Sequence, residues 1–192
     1  MRAAAPERRP ASALAGDILH FWFNELRPRD WFRRSVSIDA QIKDRFGAAH
    51  ARAASADWPA MEASPDAALA YVLLLDQFSR NLYRAEAKAF ACDARARGVA
   101  QRAIARRFDL VRPQRERAFF YLPFMHSETR SDQELSLRLH RTRLSSSAHL
   151  QHAQAHADII AKFGRFPHRN AALRRLTTAA ERQFLCNGGF SA

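Results

Sequence analysis

Residues that favour β-strands are scarce in this chain of 192 residues. The sequence contains four Val, six Ile and four Thr against an abundance of Ala, Leu and Arg. Strands are enriched in β-branched residues, whereas Ala, Leu and Arg are strong helix formers. The chain therefore has too few strand-forming residues for a sheet of ordinary size, and we predict an all-α fold. A chain of this length buries roughly 70% of its unfolded surface, which is enough for a core without disulfides or metals.

Helix signals recur about every twenty residues and predict about eight helices. The apolar spacing and the turn residues place five of these helices near 12–26, 65–83, 87–107, 113–125 and 148–163. The other three are predicted to begin near 38, 132 and 179. Side-chain caps are expected from Ser37 and from Ser64, which precedes Pro65. Ser131 and Thr178 are also expected to cap helices, since each of these two is followed three residues later by Glu. Gly164 can end its helix in the left-handed conformation. We expect residues 12–192 to form a single all-helical domain, and residues 1–11 a disordered basic tail.

The sequence lacks the motifs of nucleotide-binding sites, disulfide frameworks and membrane spans. Its six Gly form no Gly-x-Gly-x-x-Gly or Gly-x-x-x-x-Gly-Lys run, so the chain has no sequence signature of a nucleotide cradle, and we expect no cofactor. Cys92 and Cys186 lie far apart, which predicts two ordinary thiols in a reducing compartment. No apolar run approaches the ~20 residues of a membrane span. We expect a soluble cytoplasmic protein without a membrane partner, and the sequence leaves its oligomeric state open.

The net charge of +12 raises the question of nucleic-acid binding. Clustered Lys and Arg bind phosphate and release counterions. Here the basic pairs and triplets are spread along the whole chain and form no single stripe interleaved with aromatic residues. A solvated basic surface is the simpler interpretation, and weak RNA binding by surface Arg is kept as an alternative.

Polar residues interrupt the apolar helix predicted over 65–83. At 100° per residue, one side of this helix stays apolar, whereas the other side becomes polar in its second half. The polar residues of that half are Asp76, Gln77, Arg80, Asn81 and Arg84. A buried polar group without a hydrogen bond costs about 1–3 kcal/mol, so these side chains need partners. They form either a binding face or a structural pair between Asp76 and Arg80.

Two further polar segments lie in apolar surroundings. Pro123 is expected to end or kink its helix, so that His126 and Glu128 point away from the helix axis. A histidine beside a carboxylate suits proton transfer near neutral pH, although a helix cap with a surface pair is the simpler alternative. The segment 163–170 contains Arg165, His168, Arg169 and Asn170, which suit either an anion site or a turn followed by a cap.

Three histidines on one predicted helix raise the question of a metal site. His149, His152 and His156 share one face of a predicted helix, and three imidazoles within reach of one another could hold zinc. No carboxylate shares that face, so we interpret it as a histidine-rich helix surface and predict no metal site.

Several motifs together resemble a known bacterial family. They are Ile18 to Phe23, Trp31-Phe32, Leu73 to Arg84, Ala89 to Asp93, Phe120 to Glu128 with Asp132-Gln133, and Phe163 to Asn170. In this order they are similar to the uncharacterised family called domain of unknown function 924. The resemblance implies stacked antiparallel helix pairs in a tetratricopeptide-like right-handed superhelix, and it implies no activity. The chain departs from the family pattern at Ser79, where members usually have Pro, and at Arg174, where a Gly usually follows Leu.

The polar segments are predicted to converge on one groove. We therefore expect a binding module for an acidic peptide or an anionic ligand, because stacked helix pairs present concave surfaces and Arg binds carboxylates and phosphates through two hydrogen bonds. The candidate ligand-binding residues are Asp76, Gln77, Arg80, Asn81, Arg84, His126, Glu128, Arg165, His168, Arg169 and Asn170. The alternative is a small-molecule enzyme with His126 or His168 as the proton carrier. In that hypothesis Glu128 or Asp76 orients the histidine, and Arg80 and Arg169 hold the anion. The sequence alone does not decide between them.

Overall fold

The computed structural model describes residues 10–189 of the protein. Its α-helices are α1 Ala11–His20, α2 Val36–Ser55, α3 Pro65–Val72, α4 Ser79–Leu82, α5 Asp93–Ala105, α6 Gln114–Arg117, α7 Leu122–Met125, α8 Arg130–Arg143, α9 Ser147–Phe163 and α10 Ala179–Cys186. π-Helical turns continue α1 over Phe21–Glu25 and join α3 to α4 over Leu73–Phe78. Short 3₁₀ segments lie at Pro28–Asp30, Pro59–Glu62, Ala87–Phe90, Ala118–Phe120 and Pro167–Arg169.

The prediction of an all-α fold is confirmed, because residues 10–189 contain no β-strand. The predicted tail falls almost entirely on residues 1–9, which lie outside the described residues, and α1 begins at Ala11. Within the described part of the chain, no helix combines the length and the hydrophobicity that a membrane span requires. The tetratricopeptide-like superhelix stays a prediction.

The helix caps agree only in part with the sequence signals. Ser64 and Thr178 cap α3 and α10 as predicted, and Gly164 ends α9 with a φ of 69°. The capping box at Ser131 was wrong, because α8 begins at Arg130, two residues before the predicted start, and Thr129 precedes it without a side-chain hydrogen bond. Ser35 caps α2 in place of Ser37 by accepting the amide hydrogen of Ile38.

The helical rod from α3 to α4 lies at the centre of the core. Every residue from Ala67 to Ser79 is buried, in agreement with a helix that is apolar over most of its circumference. Helices α1 and α5 pack on α3, and α2 packs on the π turn and on α4. The rings of Phe21, Trp22 and Phe46 lie within 6.3 Å of the Phe78 ring, centroid to centroid. The polar residues of this rod therefore lie in the most deeply buried part of the molecule.

The π turn at Leu73–Phe78 lies directly before Ser79, the position at which the motif resemblance implies a Pro. Ser79 occupies that position and donates its hydroxyl hydrogen to the Leu75 carbonyl at 2.6 Å. π-Turns inside α-helices are often found at functional sites. This one contains Asp76 and Gln77, the first two polar residues of the rod.

Candidate functional site

A buried carboxylate and an imidazole form the centre of the polar cluster. Asp76 Oδ1 lies 2.8 Å from His126 Nδ1, and Asp76 Oδ2 accepts a hydrogen bond from the Gln77 amide at 2.6 Å. Asp76 is fully buried in the π turn, whereas the His126 side chain is 14% exposed. His126 directly follows α7, whose first turn contains Pro123, so the end of this short helix aims the imidazole at Asp76. The structure thus pairs His126 with Asp76.

Two arginines from distant segments meet on a second carboxylate, that of Asp93. Arg80 Nη1 and Nη2 lie 3.1 and 3.2 Å from the Asp93 oxygens, and Arg169 Nη1 lies 3.2 Å from Asp93 Oδ2. Arg80 Nη1 also lies 3.2 Å from Asp76 Oδ1, and Arg169 donates to the His126 carbonyl at 2.8 Å. Asp93 was not among the predicted site residues, because its only signal in the sequence was an acid in the first turn of α5.

Aromatic rings enclose the Arg169 guanidinium. Its Cζ lies 4.6 Å from the Phe90 ring centroid and 4.7 Å from that of Phe166. Guanidinium groups are weakly hydrated and stack on aromatic faces, which makes this burial tolerable. The Arg169 Nε atom is buried and has no hydrogen-bond partner among residues 10–189. One polarised N–H of the cluster is therefore unused.

The histidines of the cluster are held in the neutral form. Burial lowers the pKa of His126, and the charge of Asp76 offsets this only in part. The His156 ring lies 6.1 Å from that of His126, and burial lowers the pKa of His156 to about 3. Burial and the charge of Arg169 lower the pKa of His168 to about 4. At pH 7 these three imidazoles are uncharged.

Asp76 remains ionised in spite of its burial. Burial alone would raise the pKa of Asp76, but the positive charge of Arg80 and the contact with His126 hold this pKa well below its usual range. An ionised carboxylate only accepts hydrogen bonds, so His126 Nδ1 carries the proton and donates it to Asp76. The lone pair of the neutral imidazole is consequently on His126 Nε2, and the structure shows no hydrogen bond to this atom from residues 10–189.

Glu128 belongs to a different cluster from His126. Its carboxylate accepts two hydrogen bonds from Arg175 at 2.7 and 3.0 Å and the amide hydrogen of Phe166 at 2.8 Å. Arg175 Nε in turn donates to Asn170 Oδ1 at 3.0 Å. The pairing of His126 with Glu128, suggested by their nearness in sequence, is therefore not present.

Arg165 and Asn170 belong to the same structural cluster as Glu128. Arg165 donates to both oxygens of Glu181 at 2.6 and 2.9 Å, and Asn170 Nδ2 lies 3.3 Å from Glu181 Oε2. Glu181 also completes the cap of α10 with Thr178. These contacts fasten α10 to the segment that contains Arg169.

Asn81 and Arg84 point toward α2 and lie outside the Asp76 cluster. Both donate to Asp39, Asn81 at 2.8 Å and Arg84 through two hydrogen bonds at 2.5 and 2.8 Å. The structure brings five of the predicted ligand-binding residues together with Asp93, and His168 lies beside them. The five are Asp76, Gln77, Arg80, His126 and Arg169.

The histidine face of α9 is split by burial. His156 is buried and faces His126, whereas His152 is exposed and offers its carbonyl to His156 Nδ1 at 2.7 Å. Among residues 10–189, no group of three or more His, Cys, Asp or Glu side chains is arranged to hold a metal ion.

A surface cleft of about 520 Å³ lies beside the polar cluster. One wall is formed by 85–88, which leads into Phe90, and the other by 171–174, which follows Arg169. Lys88 and Arg174 line this cleft. Both walls contain a residue with a side chain in the left-handed region, Ala85 with a φ of 62° and Arg174 with a φ of 53°. Such conformations cost free energy and are often found near functional sites.

Comparisons with known proteins agree with the motif resemblance. The family model described as "Bacterial protein of unknown function (DUF924)" matches residues 18–189. A solved structure described as "Structure of Protein of Unknown Function ATU0120 from Agrobacterium tumefaciens" is 41% identical, with a TM-score of 0.88, and the match covers 93% of this chain and 99% of that one. A search of curated proteins finds no match.

Proposed function

This chain belongs to the bacterial DUF924 family of unknown function, and we propose that it is an enzyme that acts on a small anionic molecule, with His126 as the general base. The observation that carries the proposal is the 2.8 Å contact between His126 Nδ1 and the buried Asp76 carboxylate. A general base needs a defined tautomer, a fixed orientation and an accessible lone pair. Asp76 provides the first two, and the partial exposure of His126 is consistent with the third.

The protonation states support a base that works at neutral pH. Asp76 is ionised and His126 is neutral, so His126 Nε2 can accept a proton from a bound molecule. The imidazolium formed in that step would be stabilised by Asp76, as an ionised carboxylate at hydrogen-bond distance stabilises a nearby positive charge. Asp76 is thus the orienting residue and His126 the residue that contacts the substrate.

The charges of the site favour an anion over a neutral ligand. Within the cluster, Arg80 and Arg169 are balanced by Asp76 and Asp93. The lining of the adjoining cleft adds Lys88 and Arg174 against one acid, Glu86, and the structure gives neither cation an ion pair with a carboxylate of residues 10–189. An anion that reaches from this cleft toward His126 would meet this excess of positive charge and the unused Nε–H of Arg169.

An acidic peptide fits this site less well than a small molecule. Extended peptides bind open grooves and sheet edges with exposed pockets. Here Asp76, Asp93 and Arg169 are all buried, so a backbone has no room to lie along them. RNA binding depends on unpaired surface charge, and many surface arginines are paired, for example Arg45 with Glu25 and Arg102 with Glu62. The proposal includes a cytoplasmic location, in line with the free thiols of Cys92 and Cys186.

A binding screen with a matched control tests the anion site. Thermal shifts are measured with inorganic phosphate, phosphorylated metabolites and mono- and dicarboxylic acids on the wild type, Arg80→Gln and Arg84→Gln. Arg84 is a suitable control because it also pairs with a carboxylate, but outside the cluster. We expect at least one anion to raise the melting temperature of the wild type and of Arg84→Gln, and to lose this effect in Arg80→Gln.

Turnover of the best ligand then tests the base. The ligand is followed by NMR in the presence of wild type, His126→Gln and His140→Gln. His140 is the control because it is also buried, but its hydrogen bond goes to the Ser136 carbonyl and not to Asp76. Wild type and His140→Gln should convert the ligand, whereas His126→Gln should bind it without conversion. Stabilisation that survives in Arg80→Gln, or conversion that survives in His126→Gln, would refute the proposal.

A further inference from the structure

A second pocket, of about 370 Å³, lies away from the Asp76 cluster. It opens between the loop that contains Leu110, helix α6, and the end of α8 with the residues that follow it. Its lining includes Arg117, Arg143 and Leu144, and none of the residues that surround His126. A function for this pocket would therefore be independent of the proposed enzyme.

A buried carboxylate fixes one of the two guanidinium groups. Arg143 Nη1 donates to Asp109 Oδ2 at 2.7 Å, and the Tyr121 hydroxyl donates to the same oxygen at 2.6 Å. Asp109 is fully buried, whereas the Arg143 side chain is 29% exposed at the pocket. Within the described part of the chain, the Arg143 guanidinium has two side-chain partners, the Asp109 carboxylate and the Tyr121 hydroxyl. The N–H groups that these partners do not use are available to a ligand.

The pocket carries more positive than negative charge. Arg117 donates to the backbone carbonyls of Asp109, Leu110, Arg112 and Arg143 at 3.0–3.2 Å, and within residues 10–189 it pairs with no carboxylate. Arg117 and Arg143 together therefore face a single acid, Asp109. The excess of one charge suits a monovalent anion better than a phosphate dianion.

Two aliphatic side chains, Leu110 and Leu144, line the pocket, and the other lining residues are the polar Gln114, Thr142 and Ser145. Leu110 is 42% exposed and lines the pocket, and the adjacent Val111 is 68% exposed. Leu144 lines the inner part. Large apolar side chains that stay exposed beside a fixed cation suit a ligand that combines an aliphatic group with a carboxylate.

We infer that this pocket binds a carboxylate attached to a short aliphatic chain, with Arg143 as its anchor. The carboxylate accepts hydrogen bonds from the outer N–H groups of Arg143, while the chain packs on Leu110 and Leu144. Both a free short-chain acid and the C-terminal residue of a peptide that ends in Leu or Val present this chemistry.

Calorimetric titration with three probes distinguishes these sources. The probes are hexanoate, N-acetyl-alanyl-leucine with a free C-terminus, and the same dipeptide as its C-terminal amide. We expect the acids to bind and the amide not to bind. Tighter binding of hexanoate indicates a free acid as the natural ligand, and tighter binding of the dipeptide acid indicates the C-terminus of a partner.

Two variants and a control assign the binding to this pocket. Arg143→Gln should weaken binding of the acid at least about tenfold, because hydrogen bonds to charged groups contribute about 1.5–3 kcal/mol. Leu110→Glu alters only an exposed residue, keeps the fold, and should abolish binding by charge repulsion. Arg141→Gln removes an exposed arginine of α8 outside the pocket and should leave binding unchanged. Equal binding of acid and amide, no binding of either acid, or wild-type binding by Leu110→Glu would overturn the inference.

Discussion

Arg174 has a φ of 53°, a backbone conformation that side chains disfavour. A left-handed residue with a Cβ costs roughly 1–2 kcal/mol, and glycine avoids this cost. The family resemblance implies a Gly at this position, which agrees with the turn that the structure has there. The turn at Arg174 is therefore strained.

Arg174→Gly should stabilise the protein by about 0.5–1 kcal/mol, since relief of the strain exceeds the larger entropy that glycine has in the unfolded chain. Urea denaturation measures the change. Arg174→Ala removes the same charge but keeps the Cβ, so it should not share the gain. If alanine stabilises as much as glycine, the effect comes from charge and the strain argument fails.

Ser79 links two buried groups in the core. Its hydroxyl donates to the Leu75 carbonyl, and its oxygen lies 2.8 Å from His50 Nε2, which must then carry the hydrogen. His50 Nδ1 is buried without a partner in residues 10–189, so Ser79 supplies the one hydrogen bond that the structure gives this ring.

Ser79→Ala should destabilise the protein by about 1–3 kcal/mol, because it leaves the buried imidazole without a hydrogen bond. The free energy of unfolding in urea is the measurement. Ser55→Ala, which removes an exposed hydroxyl bonded to the Arg52 carbonyl, is the control and should have little effect. A loss no larger in Ser79→Ala than in Ser55→Ala would contradict the assigned role.

Sequence patterns located much of the polar cluster at the residue scale, but not its pairing. The need to satisfy buried polar groups correctly brought Asp76, Arg80 and Arg169 together. The sequence left Glu128 and Asp76 as alternative partners of His126, and the structure pairs it with Asp76, fifty residues away. Asp93 was missed because an acid in the first turn of a helix is already explained by the helix dipole.

At the scale of elements, one carboxylate joins the C-terminal segment to the loop between α7 and α8. Glu128 lies between α7 and α8, yet it binds both the Arg175 guanidinium and the Phe166 amide. Phe166 and Arg175 flank the segment that places Arg169 on Asp93. Glu128 therefore positions the second arginine of the candidate site without contacting it in the structure.

Glu128→Gln should increase hydrogen exchange at the Phe166 amide about tenfold or more, because hydrogen bonds to a charged acceptor contribute about 1.5–3 kcal/mol. Exchange followed by mass spectrometry or NMR tests this. The amides of α3 should keep their protection, since the core rod does not contact Glu128 through any hydrogen bond of the described residues.

Glu134→Gln is the matched control, because Glu134 pairs with Arg130 on the surface. It should leave exchange at Phe166 unchanged. Unchanged exchange in Glu128→Gln itself would show that other contacts hold this segment.

The helices were predicted more reliably than their ends. Periodicity and composition determine where an amphipathic helix lies, and these signals extend over many residues. A cap depends on one side chain, and neighbouring serines compete for it, as Ser35 and Ser37 do before α2. The π turn at Leu73–Phe78 was not predicted. One extra residue per turn barely changes the hydrophobic periodicity of a helix that is apolar over most of its circumference.

At the scale of the whole molecule, the burial of histidines makes stability depend on pH. Burial lowers the pKa of six histidines, namely His50, His126, His140, His149, His156 and His168. Their folded pKa values lie below the unfolded value of about 6.5. As the pH falls below 6.5, the unfolded chain takes up protons that the folded chain does not, so protonation favours unfolding.

Stability should therefore be complete above pH 6.5 and decrease as the pH falls toward 4. Each histidine that takes up its proton only on unfolding contributes a slope of about 1.4 kcal/mol per pH unit. The lowered pKa values of Asp76 and Glu128 act in the same direction, but only below about pH 4.5, where unfolded carboxylates become protonated. Between pH 6.5 and pH 5, the change of stability with pH therefore reports on the histidines.

The contribution of one histidine can be isolated at His156, whose pKa of about 3 lies far below the interval. Burial is the main cause of the low pKa of His156, the charge of Arg169 adds to it, and His156 Nδ1 contacts the His152 carbonyl. His156→Gln keeps a hydrogen-bond donor and removes the titrating group. The mean slope of unfolding free energy between pH 6.5 and 5, measured in urea, should fall by about 1 kcal/mol per pH unit, because the unfolded histidine is only half protonated at pH 6.5. The exposed His20→Gln should keep the wild-type slope, and a flat stability profile of the wild type over this interval would contradict a core that holds its histidines neutral.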